Sequence, residues 1–372
     1  MCIRDRLYAE AIEAYRSARR AEPSARLLLK EGNIRERAGD YAGALRWYRR
    51  GLKAAAEAGE RELVVDLRVG YAGTRYRQGH FADAIRWARD AVDLANELSY
   101  LPGLAHGYFL LHIAHTATGH PDRAAFRGLA LPIYEELGDL LGQAHVLNNL
   151  GIEAYYDGRW DEALDLYERS KAARSRIGDV VNVALVANNI GEILSDQARL
   201  EEARALFEES RDVAARAGGQ LTAAVATLNL GRVAAREGRF DEAQTLVAEA
   251  LAALEALDAR NFVLEAEARL AEVTAAAGDA EEGLRLADEG LVAASDEDAP
   301  LLVGAILHRA RGLALRAAGD EPEAVRSFEA SLEAARHVGA EYEVALALTA
   351  LGRDEEAAPV LARLGVERLG PV

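Results

Sequence analysis

The sequence predicts an all-α chain, a right-handed superhelical solenoid of antiparallel helix pairs. One observation is compositional. Half of the 372 residues are hydrophobic, yet aromatics supply only 6% and there are eight prolines. The apolar residues are mostly Ala and Leu, which favour helix, and the β-branched and aromatic enrichment of sheets is missing. The other observation is a period. A small turn residue recurs at Gly39, Gly79, Gly119, Gly158, Ala198, Gly238, Gly278 and Gly319, at intervals of 40, 40, 39, 40, 40, 40 and 41. Five positions after each stands Ala44, Ala84, Ala124, Ala163, Ala203, Ala243, Gly283 or Ala324. Fixed-period self-similarity is the signature of a repeat architecture.

Taken in chain order, residues 1–6 read as a non-native or disordered start. They hold the only methionine and the only cysteine, Cys2, and show no repeat phase. Residues 7–23, with Ala11, Tyr15, Ala18 and Pro23, match only the second helix of a unit. This points to a truncated repeat with an orphan helix, or else to a short natural half-repeat cap. An unpartnered apolar face there predicts self-association through that helix. Residues 24–338 hold eight units.

The third unit is the least regular. It gathers His106, His112, His115 and His120, places His112 where a small residue is usual, and starts its second helix at Pro121. His112 and His115 share a helix face, but a third ligand is lacking, with Asp122 beyond a turn, so half-buried histidines are the expectation and no metal site is assigned.

The clearest unit runs Leu147-Asn148-Asn149-Leu150-Gly151, then Gly158-Arg159-Trp160-Asp161-Glu162-Ala163, then Tyr167 and Ser170. Gly151 and Ala163 lack bulk, so the two helices approach closely there. Gly158 supplies the left-handed residue that ends the first helix. Trp160 and Tyr167 fill the space between helices, and Ser170 is small so that the next repeat docks. The pattern returns at Gly191, Ala203, Phe207 and Ser210, at Gly231, Ala243, Val247 and Ala250, and at Gly312, Ala324, Phe328 and Ser331. Acidic pairs (Asp161-Glu162, Glu201-Glu202, Asp241-Glu242, Glu281-Glu282) open the second helices, where the macrodipole favours carboxylates. The period then shortens: Gly352 and Ala357 follow 33 residues after Gly319 and Ala324. Residues 339–366 are therefore a shortened helix pair, interrupted by Pro359 and Gly365, and 367–372 a tail.

These positions resemble the tetratricopeptide pattern over nearly the whole chain, from about Leu7 to Val366. The spacing departs from the usual 34 of that family; long-period arrays of this kind resemble MalT-like regulators and kinesin light chains. The resemblance implies the C-terminal tail of a large bacterial LuxR-type or cyclase-type signal-transduction regulator, whose upstream modules this sequence does not contain. In such adaptors the residue two before the small Gly faces the groove and hydrogen-bonds an extended peptide. Here that residue is Asn149, Asn189 and Asn229 in successive units, flanked by Asn148 and Asn188. An amide has both donor and acceptor and so pairs with a peptide unit at both ends. The alternative is that these amides satisfy the neighbouring helix backbone or face water. One turn on stand Tyr155, Tyr156, Glu192, Asp196, Arg232 and Arg236, a mixture that suits a polypeptide better than a uniformly anionic ligand.

Composition narrows function further. The formal charge is −17, from 61 acidic and 44 basic residues. That balance disfavours direct nucleic-acid or anionic-membrane binding. A lone cysteine permits no intrachain disulfide and fits a reducing, cytoplasmic compartment. No apolar stretch is long enough to span a membrane. There is no G-x-x-x-x-G-K-[ST], H-E-x-x-H or G-x-S-x-G, so no catalytic residue, metal or cofactor is expected. The expectation is a non-catalytic scaffold binding a peptide or protein partner in its concave groove; the alternative is a small-molecule effector-sensing domain.

Overall fold

The computed structural model describes residues 24–118, 120, 122–295, 301–367 and 369–370. The expected start (Met1–Arg6 with Cys2), the orphan helix with Ala11, Tyr15, Ala18 and Pro23, and Gly119, Pro121, Arg368, Pro371 and Val372 lie outside the described residues. Among the described residues all regular structure is helical, and consecutive helices pack as pairs. The first pairs are α1 (Ala25–Arg37) with α2 (Tyr41–Ala58), and α3 (Arg61–Arg77) with α4 (Phe81–Leu98). Next, α5 (Leu101–Ala117) precedes a second helix broken into α6 (Arg123–Phe126) and α7 (Ala130–Leu137). Then follow α8 (Leu140–Tyr156) with α9 (Trp160–Arg176), α10 (Val180–Asp196) with α11 (Leu200–Ala217), and α12 (Gln220–Arg236) with α13 (Phe240–Ala256). The rest are α14 (Arg260–Ala276) with α15 (Ala280–Ala293), α16 (Leu301–Ala317) with α17 (Glu321–Val338), and the short pair α18 (Glu341–Ala350) with α19 (Asp354–Leu364). The chain divides into two compact units, 1–149 and 150–372.

The periodic glycines are the corners within pairs. Gly39, Gly79, Gly158, Gly238, Gly278, Gly319 and Gly352 all have φ between 69° and 94°, the left-handed region that a Cβ disfavours. Ala198 takes the same turn at φ 61° without that freedom. A second series of left-handed residues (Gly59, Ser99, Gly138, Gly178, Gly218, Asp258, Gly339) turns the chain from one pair to the next. Ser99 and Asp258 interrupt the glycines of this series.

Inside each regular pair the small residues have one job. A Cβ on Gly151 would lie 2.6 Å from the Tyr167 ring, on Gly191 2.7 Å from Phe207, on Gly231 2.7 Å from Val247, and on Gly312 2.5 Å from Phe328. Each glycine is thus the seat for a side chain of the second helix. The alanines five after the corner (Ala44, Ala84, Ala163, Ala203, Ala243 and Ala324) are wholly buried. Ala124 is exposed, since the broken second helix of the third pair turns it outward. The serines do more than stay small: Ser210 and Ser331 donate from Oγ to the carbonyls of Ala184 and Ala305 at 2.8 and 2.7 Å. Those carbonyls belong to the first helix of the same pair, so Ser210 and Ser331 also lock their own pair. At the equivalent Gly51 and Gly290 a Cβ would lie 2.6 Å from Leu67 and Leu307 of the next pair, so small size there admits the following repeat.

The acidic pairs sit in the first turns of α9, α11, α13 and α15. The second acid of several also meets the arginine that starts the helix, as in Arg199 with Glu202 at 2.7 Å. These exposed pairs are worth a few tenths of a kcal/mol each, on the order of 0.3–0.5.

Gly312→Val, which drives a branched side chain into the Phe328 ring, should cost about 1–3 kcal/mol. Gly304→Ala, in the same helix with nothing within 4 Å of its would-be Cβ, should instead gain roughly 0.5–1 kcal/mol. Thermal unfolding of the two variants checks both signs; equal shifts would contradict the seating of the ring on the glycine.

Candidate functional site

The first helices of the second unit carry the polar residues singled out by sequence, and stacking brings most of them together. Asn229, on α12, donates from Nδ2 to Asn188 Oδ1 at 3.1 Å and Glu192 Oε1 at 2.9 Å, both on α10. Its Oδ1 accepts from Arg232 at 2.9 Å. Asn188 donates to the same Glu192 oxygen at 3.0 Å. One turn further, Asp196 accepts from Tyr155 of α8 at 2.6 Å, from Arg236 at 2.5 Å and from Arg232 at 3.4 Å. Arg236 also donates to Ser195 Oγ at 2.5 Å. Seven of the predicted residues thus form one network across three consecutive first helices.

The network corrects the ladder reading in one respect. Asn229 is 3% exposed, with both amide hydrogens and its carbonyl occupied by neighbours. It cannot at the same time bind a peptide backbone; it positions Glu192 and Arg232. Asn149 donates to the His145 carbonyl of its own helix at 2.9 Å. Asn148 is buried, and Asn189 half-buried. Tyr156 is 44% exposed, beside Ile152 at 36%. Asn149 and Asn229 therefore have different surroundings.

Burial raises the charge stakes. The Glu192 carboxyl is pushed up by burial, against the pull of Arg232. Burial, then the Asp196 charge, raise the Tyr155 phenol far above its ordinary value, so it is a neutral donor. Arg236 stays firmly protonated despite its burial, held by Asp196 and Tyr342.

A second cluster was not foreseen. Arg269 lies 40 residues after Asn229, and Arg309 40 after that, so the ladder continues with arginine in place of asparagine. Arg269 donates to Glu272 at 2.9 Å and reaches Glu343 at 3.5 Å. Arg309 donates to Glu272 at 2.8 Å and also to Glu343. All four are buried. Burial alone would raise the carboxyls, but Arg309 and Arg269 overcome it and hold Glu343 down at about 2, with Glu272 lowered too. The clusters meet at Tyr342, whose ring lies 5.5 Å under the Arg236 guanidinium.

The histidines of the third pair do not converge. His106 turns to the Pro102 carbonyl at 3.1 Å, while His115 is buried and stacked on Phe126 at 5.5 Å. Burial, then the neighbouring His120, lower the His115 pKa. Among the described residues no group of three His, Cys, Asp or Glu is placed to hold a metal ion, and no helix is long and apolar enough to cross a membrane.

Comparison with known proteins follows this geometry. Tetratricopeptide repeat profiles match residues 3–59, 143–177 and 182–256. No curated protein matches the sequence. Among solved structures, a signal transduction ATPase with numerous domains and a tetratricopeptide repeat sensor, from Pyrococcus horikoshii, superposes with TM-score 0.59 at 17% identity over 93% of this chain. The chain spans about half, 51%, of that protein. A Rap protein complexed with competence and sporulation factor gives TM-score 0.60 at 15% identity, covering 91% of this chain and 96% of its own. The Rap conjugation gene regulator of plasmid pLS20, in complex with the Phr peptide, gives 0.51 at 18% identity, covering 81% and 84%. At these identities the likeness is one of fold.

Removing one guanidinium from the second cluster leaves buried carboxylates uncompensated. Arg309→Ala should therefore cost about 3–5 kcal/mol. The cluster also fixes a pH window. Because the Glu343 pKa is depressed in the folded chain, its contribution is complete above the ordinary 4.5 and is lost as pH falls toward about 2. The unfolding midpoint should hold at near-neutral pH and fall across that acid range, less steeply in Glu343→Gln. A midpoint insensitive to acid in the parent chain would contradict the depressed carboxyl.

Proposed function

This chain is a tetratricopeptide-type repeat protein, and on that premise we propose that the first-helix face of its second unit binds a peptide or protein segment, as a non-catalytic module of a larger bacterial signalling or transcriptional regulator. The observation that carries the reading is the buried network of Tyr155, Asn188, Glu192, Asp196, Asn229, Arg232 and Arg236. Its members come from three repeats, so the energy that orders them is spent on fixing charged groups along one helix face.

The asparagines act one step back from the partner. Asn188 and Asn229 aim the Glu192 carboxylate, which is half-buried, while Asp196 holds Arg232 and Arg236. Tyr156 and Ile152 supply exposed apolar surface one turn apart on α8. A half-buried carboxylate held by secondary contacts, with exposed aromatic and aliphatic side chains, makes a preorganised surface for polypeptide, and preorganisation lowers the ordering cost of binding. Two of the structurally similar proteins are complexes with a signalling factor or peptide, which agrees with this use of the fold. The likeness to a sensor in a multidomain ATPase supports the role within a larger regulator, with cytoplasmic location following from that role.

Selection of a displayed random-peptide library on the immobilised chain tests the reading. Enriched peptides should bind Tyr156→Ala and Glu192→Gln about tenfold or more weakly, a loss of at least ~1.4 kcal/mol, with helicity unchanged. Asn229→Ala should weaken them less and also lower the unfolding midpoint, since it frees Glu192 and Arg232. No enrichment, combined with a midpoint raised by a small metabolite, would replace the peptide reading with effector sensing.

A further inference from the structure

The last helix pair is docked twice. One side of it continues the stack in the ordinary way, with Leu332 of α17 against Ala347, Leu348 and Ala357. The other side reaches back to repeats far earlier in the second unit. Tyr342 packs on Trp160 at 5.7 Å between ring centroids. The Gly158 corner is closely approached: a Cβ there would lie 2.3 Å from Glu341 Oε2 and 3.1 Å from Leu364. Gln197, at the end of α10, donates to the Leu364 carbonyl at 3.2 Å. A left-handed Gly365 then ends α19, with its would-be Cβ 3.3 Å from the same Gln197 amide. Beyond it the backbone is no longer helical. Val366 is 7% exposed, and Gly370 comes so close to α12 that a Cβ would be 2.8 Å from the Arg236 carbonyl.

The end of α19 and residues 365–367 and 369–370 therefore lie at the ends of three successive pairs, with Leu364 and Val366 buried and Gly365 and Gly370 in close approach to Gln197 and Arg236. Arg236 belongs to both arrangements: its guanidinium binds Asp196 under the Tyr342 ring, and its backbone lies against Gly370.

We infer that residues 364–367 act as a built-in competitor: they occupy in cis a surface, between the Gly158 corner and Gln197, that takes a peptide carrying two apolar side chains two residues apart with a left-handed glycine between them. The inference rests on the peptide-binding reading above and adds its regulation. The contact is suited to exchange, since outside the helices it is held by one apolar side chain and close glycine backbone. Tethering supplies an effective concentration of roughly 1 mM, so a cis segment of about 100 µM intrinsic affinity weakens a competing peptide some tenfold.

The test uses the full chain and a fluorescent peptide of residues 361–372. By anisotropy, Val366→Asp, a change outside every helix, should bind the peptide about tenfold more tightly than the parent chain, and Leu364→Asp/Val366→Asp more tightly still. Equal binding to parent and Val366→Asp, or none to a Val366→Asp chain of native helicity, overturns the inference. Competition separates the two claims. A library-selected peptide that binds but is not displaced by the 361–372 peptide sinks the cis competitor and leaves the peptide-binding reading standing; mutual displacement supports both.

Discussion

In each regular pair, a side chain of the second helix lies where the first helix has none. Tyr167 over Gly151, Phe207 over Gly191, Val247 over Gly231 and Phe328 over Gly312 set how near the two axes come. That distance propagates. With pair spacing fixed and corner residues left-handed, each first helix falls in register beside the next, and residues about 40 apart become neighbours. The polar network is a result of this constraint, because no two of its helices are adjacent in sequence.

Once the first helices are aligned, charge must be balanced among them. The positions of Glu192, Arg232 and Glu272 alternate in sign along the stack, and Asp196 lies between two guanidiniums. Buried ion pairs seldom add net stability over well-packed apolar residues, while breaking one is costly. Their effect is to select one register: skipping a repeat would set Glu192 against Glu272, carboxylate against carboxylate. The same logic explains why asparagine, with both donor and acceptor, stands where α10 meets α12.

Fold class, helix pairing, the corner glycines and the first-turn acids were legible because each is a local rule repeated many times. The candidate site was legible in part. Asn229, Glu192, Asp196, Arg232 and Arg236 were recognised by phase, but their hydrogen bonding was not, since whether an amide faces a groove or a neighbour depends on which side chains the adjacent repeat supplies. Asn149 has a different partner from Asn229 at the same phase for that reason. Arg269 and Arg309 were hidden by a change of residue type within the ladder. Glu343 was hidden by the shortened period, which puts it out of phase with its partners. The reach of α18 and α19 back to Gly158 and Gln197 has no local signal, because it follows from curvature accumulated over several pairs.

The three tryptophans are Trp47, Trp87 and Trp160, and only the last belongs to residues 150–372. Its indole is buried and packed on Tyr342. The second unit therefore contains a native optical probe at the junction of its early and late helices. With Trp47 and Trp87 replaced by phenylalanine, the remaining emission wavelength would report whether that junction is dry or wet in the intact chain, without any attached label.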